Sequence, residues 1–140
     1  MTNVPLRSPT APEPHGSARS ESEIQSAVRL LVGQLPDVRI WRNSVGELPA
    51  SYGQGRKGRV KFGLCNGSSD LVGIVTPSGR WLCLEIKEED WAPALPTNRK
   101  LFKHEQEQRD WIAVVEAFGG VGGFVTCEAE AMALVERARL

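Results

Sequence analysis

The chain has 140 residues, with 17 Lys plus Arg against 17 Asp plus Glu. That length suits one domain with a genuine core, and the balanced charge excludes any long-range electrostatic case for a nucleic-acid or membrane partner, so such a case must be local. Cys65, Cys83 and Cys127 are odd in number and widely spaced, which argues against a disulfide framework or structural zinc, and no apolar run reaches the roughly 18 residues of a membrane span.

Residues 1–19 hold Pro5, Pro9, Pro12 and Pro14 among Ser, Thr and Gly, with no periodic apolar face and no apolar core of a secretory signal. They read as a disordered tail on a cytoplasmic protein, and residues 20–140 as the folded domain. Ser20 stands three residues before Glu23 in capping-box spacing, and Ile24, Ala27, Val28, Leu31 and Leu35 follow at helical intervals up to Pro36. A strand is predicted over "VRIWR". From Asn43 to Ser68 the chain is rich in Gly and polar residues and reads as a long connection, of the kind that often carries function.

Next, "DLVGIV", the turn signal "TPSG" and "RWLCLEIK" read as an antiparallel hairpin at the sheet centre. A second loop, 88–103, holds Pro93, Pro96, Arg99, Lys100 and Lys103. Gln108, Trp111, Ile112 and Val115 mark one stripe of a second helix ended by Gly119 and Gly120. A short strand in "VGGFVTC" and a helix in "EAEAMALVERARL", with Met132, Leu134 and Val135 on its apolar side, complete the chain. The predicted class is α/β, with a small mixed central sheet flanked by helices in the order α-β-β-β-α-β-α.

The hairpin carries the chemistry. Strand alternation sets Trp81, Cys83, Glu85 and Lys87 on one side. A loop of even length centred between Ser78 and Gly79 sets Asp70 opposite Lys87 and Val72 opposite Glu85, so that Asp70, Glu85 and Lys87 share a face. A loop of odd length puts Asp70 on the other. On a shared face two carboxylates about 5 to 8 Å apart can converge on one ion. Two acidic oxygens, completed by water and a main-chain carbonyl, suit Mg²⁺ or Mn²⁺, and Lys87 can stabilise developing charge or position water. This fits hydrolysis of a phosphodiester. As isolated charges the three would be a solvated strand end and a hairpin start, but their joint spacing favours the site.

At this point the chain resembles the PD-(D/E)XK nuclease superfamily, and within it the VRR-NUC family of small phage and bacterial nuclease domains. The resemblance covers Glu21 to about Ala138 and is carried by "SESEIQ", "WRNSVG", "VKFGLCNGSSDLVGIV", "GRWLCLEIK" and "EQRDWIAVVEAFGGVGGFV". The superfamily's leading Pro-Asp is Ser69-Asp70 here, while the pattern Gly-x-x-Asp is met by Gly67 and Asp70. The resemblance implies a restriction endonuclease-like core and a divalent-metal-dependent DNA endonuclease with a preference for branched or junction DNA. It implies Asp70 and Glu85 as metal ligands, with the carbonyl of Ile86, and Lys87 as the catalytic lysine. Glu23 matches the family's acidic position on the first helix, although the capping box explains it equally well. Gln108 matches the helix glutamine, and Arg42 and Asn43 match positions near the active site. Their role could equally be to brace the sheet.

Arg56, Lys57, Arg59 and Lys61, set among glycines in "GQGRKGRVKFG", read as phosphate contacts that Arg42, Arg99, Lys100 and Lys103 extend. Tyr52 and Trp91 could stack on bases. His104 reads as a surface histidine, with approach to the site from the start of the second helix as the alternative, and the cysteines read as small hydrophobes. A homodimer suits a nuclease with one site per chain. The alternative function is a binding module or interaction subunit that keeps the fold without turnover.

Overall fold

The computed structural model describes residues 16–140, so residues 1–15 of the expected tail lie outside the described residues. Arg19, which falls within that expected tail, is tied down: its guanidinium pairs with Glu89 at 3.1 Å and Glu128 at 2.6 Å. Helix α1 (Glu21–Gly33) is capped by the Ser20 hydroxyl, which accepts from the Glu23 N–H, and Ile24, Val28 and Val32 form its buried stripe. Strand β1 (Val38–Arg42) follows.

Segment 43–68 departs from the expected irregular connection. Strands β2 (Gly46–Tyr52) and β3 (Arg56–Phe62) pair antiparallel as a separate two-stranded ribbon that turns at Gln54 and Gly55, both with positive φ. Its period-two alternation is hard to see in the sequence because neither face is buried, so no apolar-in, polar-out contrast marks it.

Strands β4 (Leu71–Val75) and β5 (Arg80–Ile86) form the expected hairpin, and helix α2 (Arg99–Ala117) leads to β6 (Val121–Val125) and helix α3 (Glu128–Arg139). The sheet order is β1-β4-β5-β6, antiparallel except for the parallel pair β5–β6. Helices α1 and α3 cover one face, where Leu71, Val75, Leu82, Leu84 and Ile86 meet Ile24, Val28, Leu134 and Val135 in the core. Helix α2 covers only the β5–β6 half of the other face, where Gly122 admits Ile112 and Gly120 admits Val115. The general class is therefore as expected, a mixed α/β domain with a small mixed sheet flanked by helices.

Among the described residues no helix is long and apolar enough to cross a membrane. Cys83 is buried, and burial pushes its thiol up to about 11, which makes it inert packing.

Candidate metal and nucleic-acid site

The hairpin loop is centred one residue earlier than expected, which shifts the pairing by two residues. Val75 opposes Arg80, so the loop is Thr76 to Gly79 and its centre lies between Pro77 and Ser78. Leu71 opposes Leu84, which brings Asp70 level with Glu85 rather than with Lys87. The loop length stays even, so parity is preserved and Asp70, Glu85 and Lys87 share the face toward α2, as expected.

Asp70 begins β4 from a braced loop. The Asn43 amide donates to Ser68 Oγ at 2.8 Å and to the Ser69 carbonyl at 2.9 Å, and its own Oδ1 accepts from the Leu64 N–H. Asn43 thus acts as the brace of this loop. Gly67 has φ +83, and a Cβ there would meet the Glu107 carbonyl at 2.7 Å, so only glycine lets the loop lie against α2. Asp70 Oδ2 accepts from the Ile86 N–H at 2.8 Å. The Ile86 peptide therefore reaches Asp70 through its N–H.

Glu85 is 3% exposed. Its Oε1 accepts from Gln108 Nε2 at 2.8 Å, while its Oε2 is buried with no partner. Burial, then the adjacent Asp70 carboxylate, push the Glu85 carboxyl up to about 9, with Lys87 pulling in the other direction. Two acceptor groups face one another here, and such a pair needs a shared proton or a cation between them.

Lys87 is buried too, and its Nζ donates to Gln108 Oε1 at 3.0 Å. The rings of Trp91 and Phe124, stacked at 5.1 Å, lie 5.8 and 5.6 Å from that nitrogen. Because an ammonium can only donate, Gln108 must turn its oxygen to Lys87 and its nitrogen to Glu85. The glutamine predicted from its helical stripe is therefore the bridge between lysine and carboxylate. Glu105, also buried, accepts from Trp91 Nε1 and the Ala94 N–H and so fixes the preceding loop against α2.

Glu23 is not brought to this group. It is exposed and its carboxylate accepts from the Ser20 hydroxyl, completing the cap. Glu21, also exposed, is the α1 acid whose charge reaches Glu85, more weakly than that of Asp70; burial raises its own pKa, Lys87 opposes that rise and Asp70 adds to it. The signal for Glu21 is present in the sequence only once α1 is docked, since two acids at i and i+2 point in different directions on a helix. We expect Glu23→Ala to cost about 0.5–1 kcal/mol of stability with metal affinity unchanged. Glu21→Ala should instead alter metal affinity, and isothermal titration with Mn²⁺ alongside thermal melts distinguishes the two.

Asp70, Glu85 and Gln108 line a cleft of about 460 Å³. Asn43 and Ser68 close one end, the ribbon foot at Val45 to Glu47 forms one wall, and His104 and Glu107 of α2 form the other. His104, read from the sequence as a surface residue, is exposed yet stands 3.2 Å from Gln108 Nε2. Arg42 opposes Leu71 and so belongs to the other face of the sheet, away from Asp70. Arg99, Lys100 and Lys103 lie on the first turns of α2 rather than in the loop before it, all exposed, and Arg56, Lys57, Arg59 and Lys61 lie on β3.

Two carboxylates with one free buried oxygen can hold a hard cation that keeps most of its water, as Mg²⁺ does. Among the described residues no three His, Cys, Asp or Glu side chains converge as a ligand set, so an all-protein cage is not formed. No family model matches the chain, and no curated protein or solved structure matches it either.

Proposed function

We propose that this chain is a divalent-metal-dependent DNA endonuclease with a PD-(D/E)XK, VRR-NUC-like core. The observation that carries the reading is the facing pair Asp70 and Glu85, with Glu85 Oε2 buried and unpartnered and Lys87 one strand step beyond. The element order supports it as well, since removing the β2–β3 ribbon leaves α-β-β-β-α-β-α.

Bound Mg²⁺ or Mn²⁺ would supply an activated water and charge stabilisation at phosphorus. Asp70, Glu85 and the Ile86 carbonyl would hold it. Lys87, whose Nζ is held by Gln108 Oε1, would turn its ammonium to the phosphoryl oxygen or the attacking water. Cations at the start of α2 stand on a helix that walls the cleft, and those on β3 stand on the strand paired with β2, whose first residues form another wall, where a polyanion would lie. The reading includes a preference for branched or junction DNA and a homodimer. For the dimer, the uncovered part of the sheet offers exposed Trp41 and Ile74, and Trp81 with Phe118, which is 90% exposed, lines a hollow of about 430 Å³.

The test is cleavage of a panel of junction, nicked, single-stranded and duplex DNAs with Mg²⁺, Mn²⁺ or EDTA, on a preparation whose mass is read by light scattering. Metal-dependent product that disappears in Asp70→Ala is expected. Full activity in Asp70→Ala would refute the assignment. Binding without any product would favour the non-catalytic module instead.

A further inference from the structure

The ribbon's residues divide by strand parity. Lys57, Arg59 and Lys61 face the same way, opposite Ser51, Pro49 and Glu47, whereas Arg56, Val60 and Phe62 share the reverse face with Tyr52 and Leu48. Successive cations on β3 are about 6.6 Å apart along the strand.

Both rings sit on the reverse face. Tyr52 covers Gly58 and Phe62 covers Gly46, where an added Cβ would come within 2.7 and 2.5 Å of ring carbons. The basic face therefore has no aromatic platform. Sequence-tolerant binding of single strands depends on such platforms, whereas a grip on duplex phosphates does not. The foot of the ribbon is a wall of the carboxylate cleft, so the ladder of cations starts there and runs outward for about 13 Å. One carboxylate restrains it: Glu47 pairs with Arg59 at 2.7 Å and Lys61 at 3.8 Å.

We infer that the Lys57, Arg59 and Lys61 face of the ribbon is a duplex-DNA arm, gripping neighbouring phosphates on one flank of the cleft. The inference rests on the nuclease reading for the cleft's identity, but the grip itself requires no turnover. B-form DNA fits better than duplex RNA, because a two-stranded ribbon enters the B-form major groove and the A-form major groove is too narrow. Glu47 holds two of the three cations until phosphates replace it.

Fluorescence anisotropy of the full chain in EDTA tests this with a 20-base-pair DNA duplex, a single strand of equal length and an RNA duplex. The DNA duplex should bind tightest. Lys57→Ala, Arg59→Ala and Lys61→Ala together should lower the slope of log K against log salt by about 2.7 and weaken duplex binding roughly 10- to 100-fold near physiological salt. Glu47→Gln should tighten duplex binding several-fold, a gain that misfolding cannot produce. An unchanged slope in the triple variant, weaker or equal binding in Glu47→Gln, or preference for the single strand or the RNA would overturn the arm. Duplex binding that obeys these expectations without metal-dependent product would remove the nuclease reading and leave the arm standing. Cleavage with an unchanged salt slope would do the reverse.

Discussion

Glu85→Gln is expected to reduce metal-dependent cleavage by at least about 1,000-fold and, in the absence of metal, to make the protein more stable at pH 8 than the unaltered chain. Both effects come from one carboxyl group. Glu85 is buried against Asp70, which raises it from an ordinary 4.5 to about 9. The folded chain then keeps a proton that the unfolded chain releases. The stability this contributes is fully present below about pH 4.5 and is lost as pH rises toward 9, at no more than about 1.4 kcal/mol per pH unit. Glutamine has the same shape and no proton to lose, so its melting temperature should not share that decline. Thermal melts in EDTA from pH 5 to 9 measure it. In the unaltered protein Mn²⁺ should restore stability most at the alkaline end, with release of a proton on binding, and in Glu85→Gln it should restore none. Parallel pH profiles for the two proteins would mean that Glu85 is not held protonated.

Lys87→Met carries the second large effect, a loss of cleavage of about 100- to 1,000-fold with the fold retained. Methionine preserves the packing of the stem beneath Trp91 and Phe124 and removes only the charge. Gln108 Oε1 then loses its donor, and the amide is free to turn its oxygen toward Glu85. Lys87 also lowers the Glu85 pKa, so without it the proton is held more tightly and metal must compete harder. Mn²⁺ titrations at several pH values should show the pH for half-maximal affinity moving upward. Combining Lys87→Met with Glu85→Gln should cost little more than either alone, because each disables the same proton and cation exchange. Additive losses would separate the lysine from the carboxylate and place its effect elsewhere.

Most elements of the core are legible in the sequence. The Ser20 cap, the stripe through Ile24 and Val28, the alternation of "VRIWR" and the Thr76 to Gly79 turn are local signals, set by backbone hydrogen bonding and by side-chain period. The ribbon was not legible, because its contrast is basic against apolar with both faces in solvent. Helix α2 begins nine residues before the stripe at Gln108, since its first turns, with Leu101 and Phe102 exposed, show no buried face to announce them.

The candidate site divides in the same way. Sequence alone determined that Glu85 and Lys87 share one face, because strand side chains alternate, and it put Asp70 with them for any loop of even length; the structure supplied the even, four-residue loop. Only the tertiary structure decided that Asp70 stands level with Glu85, that Gln108 joins Glu85 to Lys87, and that Glu21 rather than Glu23 is the α1 acid whose charge reaches them. Those relations depend on where the hairpin loop closes and how α1 and α2 dock on the sheet. Docking is set by long-range packing among residues far apart in the chain, and no local period records it.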